Sequence, residues 1–217
     1  MSKPKAKISA TDRGGPANPV GGQNQKSEAG VEFLSGSVED TQAFGEQLGR
    51  VLRPGDVVAL YGELGSGKTT LIQGIARGLG RDPDTVKSPT FVLMREYPGE
   101  VPLIHVDGYR LAGPPAVAWL DADLIFSPHK ITLIEWAERF ADLLPEDHLD
   151  VRLGHVSTHR RRICLIGGTS RAAEIIKQVQ AAHAGSSTPN SELPRPAEYP
   201  SSWGGRTPNS ADASPRD

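Results

Sequence analysis

The run Gly62-Glu63-Leu64-Gly65-Ser66-Gly67-Lys68-Thr69-Thr70 carries the strongest chemical signal in this chain. It matches G-x-x-x-x-G-K-[ST], the pattern of a loop that wraps its backbone N–H groups around phosphate. Gly62 and Gly67 permit backbone angles that a Cβ would forbid, so successive amides can turn inward around an anion. Lys68 supplies a compact positive charge for the terminal phosphates, and the Thr69 hydroxyl can ligate Mg²⁺. Glu63, Leu64, Gly65, Ser66 and Thr70 complete the cradle. The helix expected to start here aims the positive end of its dipole at the same anion. The run therefore predicts a nucleotide site.

A phosphate loop needs a partner carboxylate for the metal, ordinarily at the end of a neighbouring apolar strand. Two fit: Asp107 closes Leu103-Ile104-His105-Val106, and Glu135 closes Ile131-Thr132-Leu133-Ile134. One could anchor metal while the other orients the attacking water, because phosphoryl transfer depends mainly on positioning and charge stabilisation. Lys87-Ser88-Pro89-Thr90 reads either as a turn leading into a strand or as a stiffened segment carrying Thr90 toward the γ-phosphate. Arg110 could reach phosphate, a partner or solvent. The basic stretch His155 to Arg162 reads as a solvated hairpin turn or a contact for tRNA or a partner. The six His show no metal-ligand spacing. Base preference follows from composition: Asn18, Asn24, Asn190 and Asn209 all lie near the chain ends, so the core lacks the Asn needed for an Asn-Lys-x-Asp guanine reader. ATP is the expected nucleotide.

Positioning these residues requires strands that end beside them. Asp56 to Tyr61 is a short apolar run bounded by Pro54-Gly55 and Gly62, and predicts a buried strand. Behind the loop, Leu71, Ile72, Ile75 and Leu79 recur at helical spacing until Gly80 and Pro83. Upstream, Val31 to Leu34 is a strand candidate. Ser37 and Asp40 form a capping box for a helix through Thr41, Phe44, Leu48 and Leu52. Short helices are expected at Val117–Leu124 and Ala137–Leu144, the latter stopped by Pro145. Leu149 to Leu153 and Ile163 to Ile166 predict an antiparallel hairpin, and residues 171–184 a polar helix. The alternation argues for an α/β fold with a mostly parallel central sheet and antiparallel additions near the C-terminus. In such sheets ligands lie beyond the carboxyl ends of the strands, which would gather the loop, Asp107 and Glu135 on one edge.

The 217-residue chain has ends poor in core material. Residues 1–30 hold five Gly and three Pro, with five Lys or Arg against two Asp or Glu; residues 185–217 hold seven Ser and six Pro. Both read as disordered. The expected organisation is an arm at 1–30, a nucleotide-binding domain at 31–168, and a polar helix with a tail at 169–217. A net charge of −2 offers no overall electrostatic case for nucleic-acid binding, and no DNA partner is expected. No apolar run reaches the ~18 residues of a membrane span, and the N-terminus shows no secretory signal, so a cytoplasmic location is expected. The lone Cys164, alternating with branched apolar residues, reads as a buried hydrophobe.

In order, Tyr61 to Thr70, Val86-Lys87-Ser88-Pro89-Thr90-Phe91, His105-Val106-Asp107-Gly108-Tyr109-Arg110-Leu111 and Leu133-Ile134-Glu135-Trp136 resemble the TsaE family, the bacterial ATPase component of tRNA threonylcarbamoyladenosine synthesis. The resemblance spans about residues 31–168. It implies a P-loop NTPase fold, with Thr69 and Glu135 holding Mg²⁺ and Asp107 orienting water. It further implies Thr90 in a switch loop, Thr41 near the adenine and Trp136 packed beside the site. Proteins of this family hydrolyse ATP weakly alone and act with TsaB and TsaD, which place threonylcarbamoyl on the adenosine next to the anticodon; tRNA contact by the ATPase itself would be indirect or weak. Two other readings of the residues stand beside this one. A small-molecule kinase on the same fold would need an acceptor pocket and a lid, and no lid-length insertion is evident. A nucleotide-gated binding module would need no productive turnover.

Overall fold

The computed structural model describes residues 29–111 and 121–184. Its elements run β1 (Ala29–Ser35), α1 (Val38–Val51), β2 (Val57–Tyr61), α2 (Lys68–Gly78), β3 (Met94–Tyr97), β4 (Leu103–Asp107), α3 (Ala122–Ile125), β5 (Ile131–Glu135), β6 (Leu149–His155), β7 (Arg161–Gly167) and α4 (Ser170–Ala184). All strands join one sheet in the order β1-β7-β6-β2-β5-β4-β3. The central block β6-β2-β5-β4 is parallel. Every residue of β2, β4 and β5 is buried, which is why these strands read as unbroken apolar runs rather than alternating ones. Antiparallel strands flank the block on both sides. β7 and β1 extend it beyond β6, and β3 closes the opposite edge against β4. The antiparallel additions are thus not confined to the C-terminal side.

Side chains alternate along β2 into two cores. Val58 and Leu60 meet Phe44 and Leu48 of α1, Leu71 and Ile75 of α2, and Ile175 and Val179 of α4. Val57, Ala59 and Tyr61 meet Ile125 of α3 and Phe140 on the other face. Ser37 caps α1 by accepting from the Asp40 amide at 3.1 Å, while the Asp40 carboxylate accepts from Gly36 N at 2.9 Å. That reciprocal pair fixes where the helix begins.

Helices α1 and α2 pack backbone to backbone. Gly45 and Gly49 of one face Gly74 and Gly78 of the other, and a Cβ on any of the four would overlap a carbonyl oxygen of the partner helix. The first turn of α1 is thereby locked in place beside the first turn of α2. Helix α4 buries Ala172, Ile175, Ile176 and Val179 in the same core. Its Arg171 grips Asp56 with Nε to Oδ1 at 2.9 Å and Nη2 to Oδ2 at 2.6 Å, and also reaches the Val51 carbonyl. A forked guanidinium on a buried carboxylate is the strong form of an ion pair.

The helix expected at Ala137–Leu144 is instead a single 3₁₀ turn, Ala137–Phe140. Ala137 and Phe140 are its buried residues, a spacing of three that suits 3₁₀ geometry. The Leu143 and Leu144 amides then close turns on the Phe140 carbonyl, and Pro145 follows. Of the helix expected at Val117–Leu124, residues 117–120 lie outside the described residues, as do residues 1–28 and 185–217 with the expectations placed on them. Among the described residues no helix is long and apolar enough to cross a membrane.

Candidate nucleotide-binding site

Strand β2 delivers the chain to Gly62 at the carboxyl edge of the parallel block, and α2 departs from Gly67. Gly62 sits at φ 143° with the Leu153 carbonyl where its Cβ would be, so no other residue fits there. Gly67, at φ 101°, occupies the N-cap of α2 and provides no side chain to satisfy the first amides. The open N–H groups and the dipole therefore face the loop interior, where an anion is favoured. Ser66 is fully buried, and its Oγ has no hydrogen-bond partner.

Lys68 is only 4% exposed. Its ammonium donates to the Gly62 and Glu63 carbonyls at 2.7 and 3.1 Å and lies 4.1 Å from the centroid of the Trp136 ring. Burial lowers its pKa, opposed by the charges of Glu135, Glu138 and Asp107. Trp136 reaches this place from a left-handed backbone, φ 58°. For a bulky side chain that conformation is strained, and such strain gathers at functional sites.

Asp107 and Glu135 are register partners on β4 and β5, with β5 directly beside the loop strand β2 and β4 one strand further out. The Thr69 hydroxyl donates to Glu135 Oε1 at 2.7 Å, and His105 Nε2 lies 3.0 Å from the same oxygen. Asp107 Oδ1 accepts from the Tyr109 amide at 2.9 Å. Its Oδ2 accepts from Thr90 Oγ1 at 2.5 Å and from Ser88 Oγ, and the two hydroxyls lie 2.6 Å apart. The Lys87–Thr90 segment is thus clamped onto Asp107 in this state.

A cleft of about 540 Å³ opens beside the loop. It is lined by Ser37 and Thr41 at the start of α1, by Gly65 and Thr70, and by His159 and Arg161 of the β6–β7 turn. Thr41 is buried, with Oγ1 2.7 Å from Ser35 Oγ and donating to the Ser37 carbonyl at 3.1 Å. Arg161 folds back on its own turn, donating to the Ser157, Thr158 and Arg160 carbonyls at 3.0 to 3.3 Å. The structure therefore brings together the whole loop, Thr41, Thr90, Asp107 and Glu135 on one edge. The Arg110 guanidinium stacks 4.4 Å over the exposed Phe91 ring.

Two polar residues in this arrangement were not singled out from sequence. Ser88 was visible only as part of a Pro-stiffened turn. His105 carried a usable signal, as an imidazole inside an otherwise apolar strand run two residues before a carboxylate.

The donor set fits a hard cation. Thr69 and Glu135 contribute oxygen ligands next to an anion cradle, and two protein oxygens leave the remaining octahedral positions to phosphate and water, as Mg²⁺ prefers.

Comparison with known proteins agrees with this geometry. Residues 35–163 match the family model described as "Threonylcarbamoyl adenosine biosynthesis protein TsaE". The chain is 41% identical over 138 residues to the tRNA threonylcarbamoyladenosine biosynthesis protein TsaE of Mycobacterium tuberculosis, covering 58% of this chain and 80% of that one. To the Treponema pallidum protein of the same name it is 38% identical over 133 residues, covering 61% and 98%. Among solved structures, YdiB of Bacillus subtilis superposes with a TM-score of 0.62 at 27% identity, covering 72% of this chain and 97% of that one. A glycine loop, a Thr69–Glu135 pair and a strand-end Asp107 on this sheet, with those matches, place the chain in the TsaE family of threonylcarbamoyl adenosine biosynthesis proteins.

Proposed function

We propose that this protein is an Mg²⁺-dependent ATPase that drives or resets the TsaB–TsaD complex during threonylcarbamoyl modification of tRNA. The observation that carries the reading is the Thr69–Glu135 hydrogen bond beneath the Lys68 loop, with Asp107 one strand away. Lys68 would leave the Gly62 and Glu63 carbonyls for phosphate oxygens, exchanging neutral acceptors for charged ones. Thr69 and Glu135 would hold Mg²⁺, which supplies neutralisation of the phosphate charge. Adenine would lie in the cleft between Thr41 and the His159–Arg161 turn. ATP fits better than GTP because the described core carries no Asn.

Asp107 would accept a proton-side hydrogen bond from the attacking water and hold it in line. Both its oxygens are already engaged, by Tyr109 N and by the Ser88 and Thr90 hydroxyls. In this reading the Ser88–Thr90 segment would release Oδ2 for the water during turnover. That requirement would make hydrolysis by the isolated chain slow and would give a partner something to change.

The test is threonylcarbamoyl transfer to tRNA by purified TsaB–TsaD, with and without this protein and ATP. Multiple rounds per TsaD only when both are added support the proposal. Equal transfer without this protein would overturn it.

A further inference from the structure

We propose that His105 is a positioning residue for the cation site: its Nε2–H holds the Glu135 carboxylate in the orientation that receives a divalent ion arriving with nucleotide. The inference rests on the nucleotide-binding reading above. His105 is fully buried on β4. Its Nε2 lies 3.0 Å from Glu135 Oε1, the oxygen that also accepts from Thr69 at 2.7 Å. An ionised carboxylate can only accept, so Nε2 carries the proton. The other ring nitrogen, Nδ1, is buried with no hydrogen-bond partner. Neighbours Leu103, Ile104 and Val106 are all apolar and fully buried, so an apolar side chain would suit this position without leaving an orphan nitrogen. Burying an unpaired polar atom has a cost, and the contact to Glu135 is the compensating feature in the structure.

Two donors converging on Oε1 remove the rotational freedom of the carboxylate. The same device orients ligands in other metal sites, where deleting the supporting hydrogen bond typically weakens metal affinity ~10–100-fold. Asp107 on the same strand is held by different partners, Ser88, Thr90 and the Tyr109 amide. The effect of His105 should therefore fall on metal and not on the Asp107 clamp.

The experiment titrates Mg²⁺ into the full-length chain with a fluorescent ATP analogue, for wild type, His105→Leu and His105→Gln. We expect His105→Leu to raise the Mg²⁺ concentration at half-maximal binding about tenfold or more, with affinity in EDTA unchanged. His105→Gln, whose amide N–H can reach Oε1, should recover most of that loss. A Leu variant indistinguishable from wild type, or a Gln variant as impaired as Leu, would overturn the inference. Thermal melts in EDTA report folding. Should His105→Leu fail to fold, His105→Gln is compared with His105→Asn, whose shorter amide stops before Oε1, and equal Mg²⁺ requirements would overturn the inference. If wild type binds no nucleotide at any Mg²⁺ level, the site reading itself fails; Mg²⁺-dependent binding indifferent to His105 sinks this inference alone.

Discussion

Replacing Gly74 by Ala tests whether the α1–α2 contact positions the nucleotide cleft. In an isolated helix the change should stabilise, because Ala exceeds Gly by about 1 kcal/mol in helix propensity. Here the new Cβ would sit 2.9 Å from both the carbonyl carbon and the Cα of Gln42, and would overlap the Gln42 oxygen. These are backbone atoms that cannot rotate away, so the helices must separate. Overpacking of this kind costs up to about 3 kcal/mol, leaving a net destabilisation of about 2 kcal/mol after the propensity gain. For a domain of this size that lowers Tm by ~4–8 °C. Because Thr41 and the glycine loop begin these two helices, nucleotide affinity should fall with it. Circular dichroism melts with and without ATP provide the assay. Gly168→Ala serves as control, since a Cβ there meets nothing within 4 Å, and it should stay within about 0.5 kcal/mol of wild type. Gly45→Ala adds a further check: its Cβ would lie 3.0 Å from Gly74 Cα, so the two substitutions should cost less together than their sum. A Gly74→Ala protein as stable as wild type, with full affinity, would refute the backbone contact and its role in the cleft.

Lys68→Ala should abolish ATP binding or turnover; a calorimetric titration matching wild type would remove Lys68 from the site. Glu135→Ala should raise the Mg²⁺ requirement and cut hydrolysis, and an unchanged Mg²⁺ profile would make Asp107 the metal candidate instead. His148 Nε2 lies 3.1 Å from Asp150 Oδ1, and the nearby carboxylate, opposed by burial, raises its pKa. A raised folded-state pKa adds stability below the unfolded value of about 6.5 that is lost as pH climbs through the folded value. The stability advantage of wild type over His148→Asn should thus be largest near pH 6 and shrink above neutrality; an advantage that grows with pH would contradict the ion pair.

What could be read from sequence was set by short-range physics. The loop at Gly62 to Thr69, the Ser37 cap and the buried strands ending at Asp107 and Glu135 announce themselves through spacing, caps and apolar runs within a few residues. Strand order is different in kind. Ala29 pairs with Gly167, and nothing near either residue encodes that partnership. The short turn at Ala137–Phe140 escaped because i, i+3 burial over a few residues suits both α and 3₁₀ geometry until the strained Trp136 backbone is known. The glycines of α1 and α2 look like helix-weakening residues in sequence. Their value, a backbone contact between helices, exists only once both helices are placed. Likewise Ser88 has no local mark of function, because its partner Asp107 comes from a different strand. The hairpin turn at His159 and Arg161 reads as a solvated basic stretch from charge alone, yet it lines the cleft.

The most direct test of the central claim is steady-state ATP hydrolysis by the full-length protein, alone and with TsaB–TsaD from the same source, alongside the Lys68→Ala variant. The account predicts slow turnover alone, strong stimulation by the complex, and neither in Lys68→Ala. Turnover unaffected by the complex, or surviving in Lys68→Ala, would contradict it.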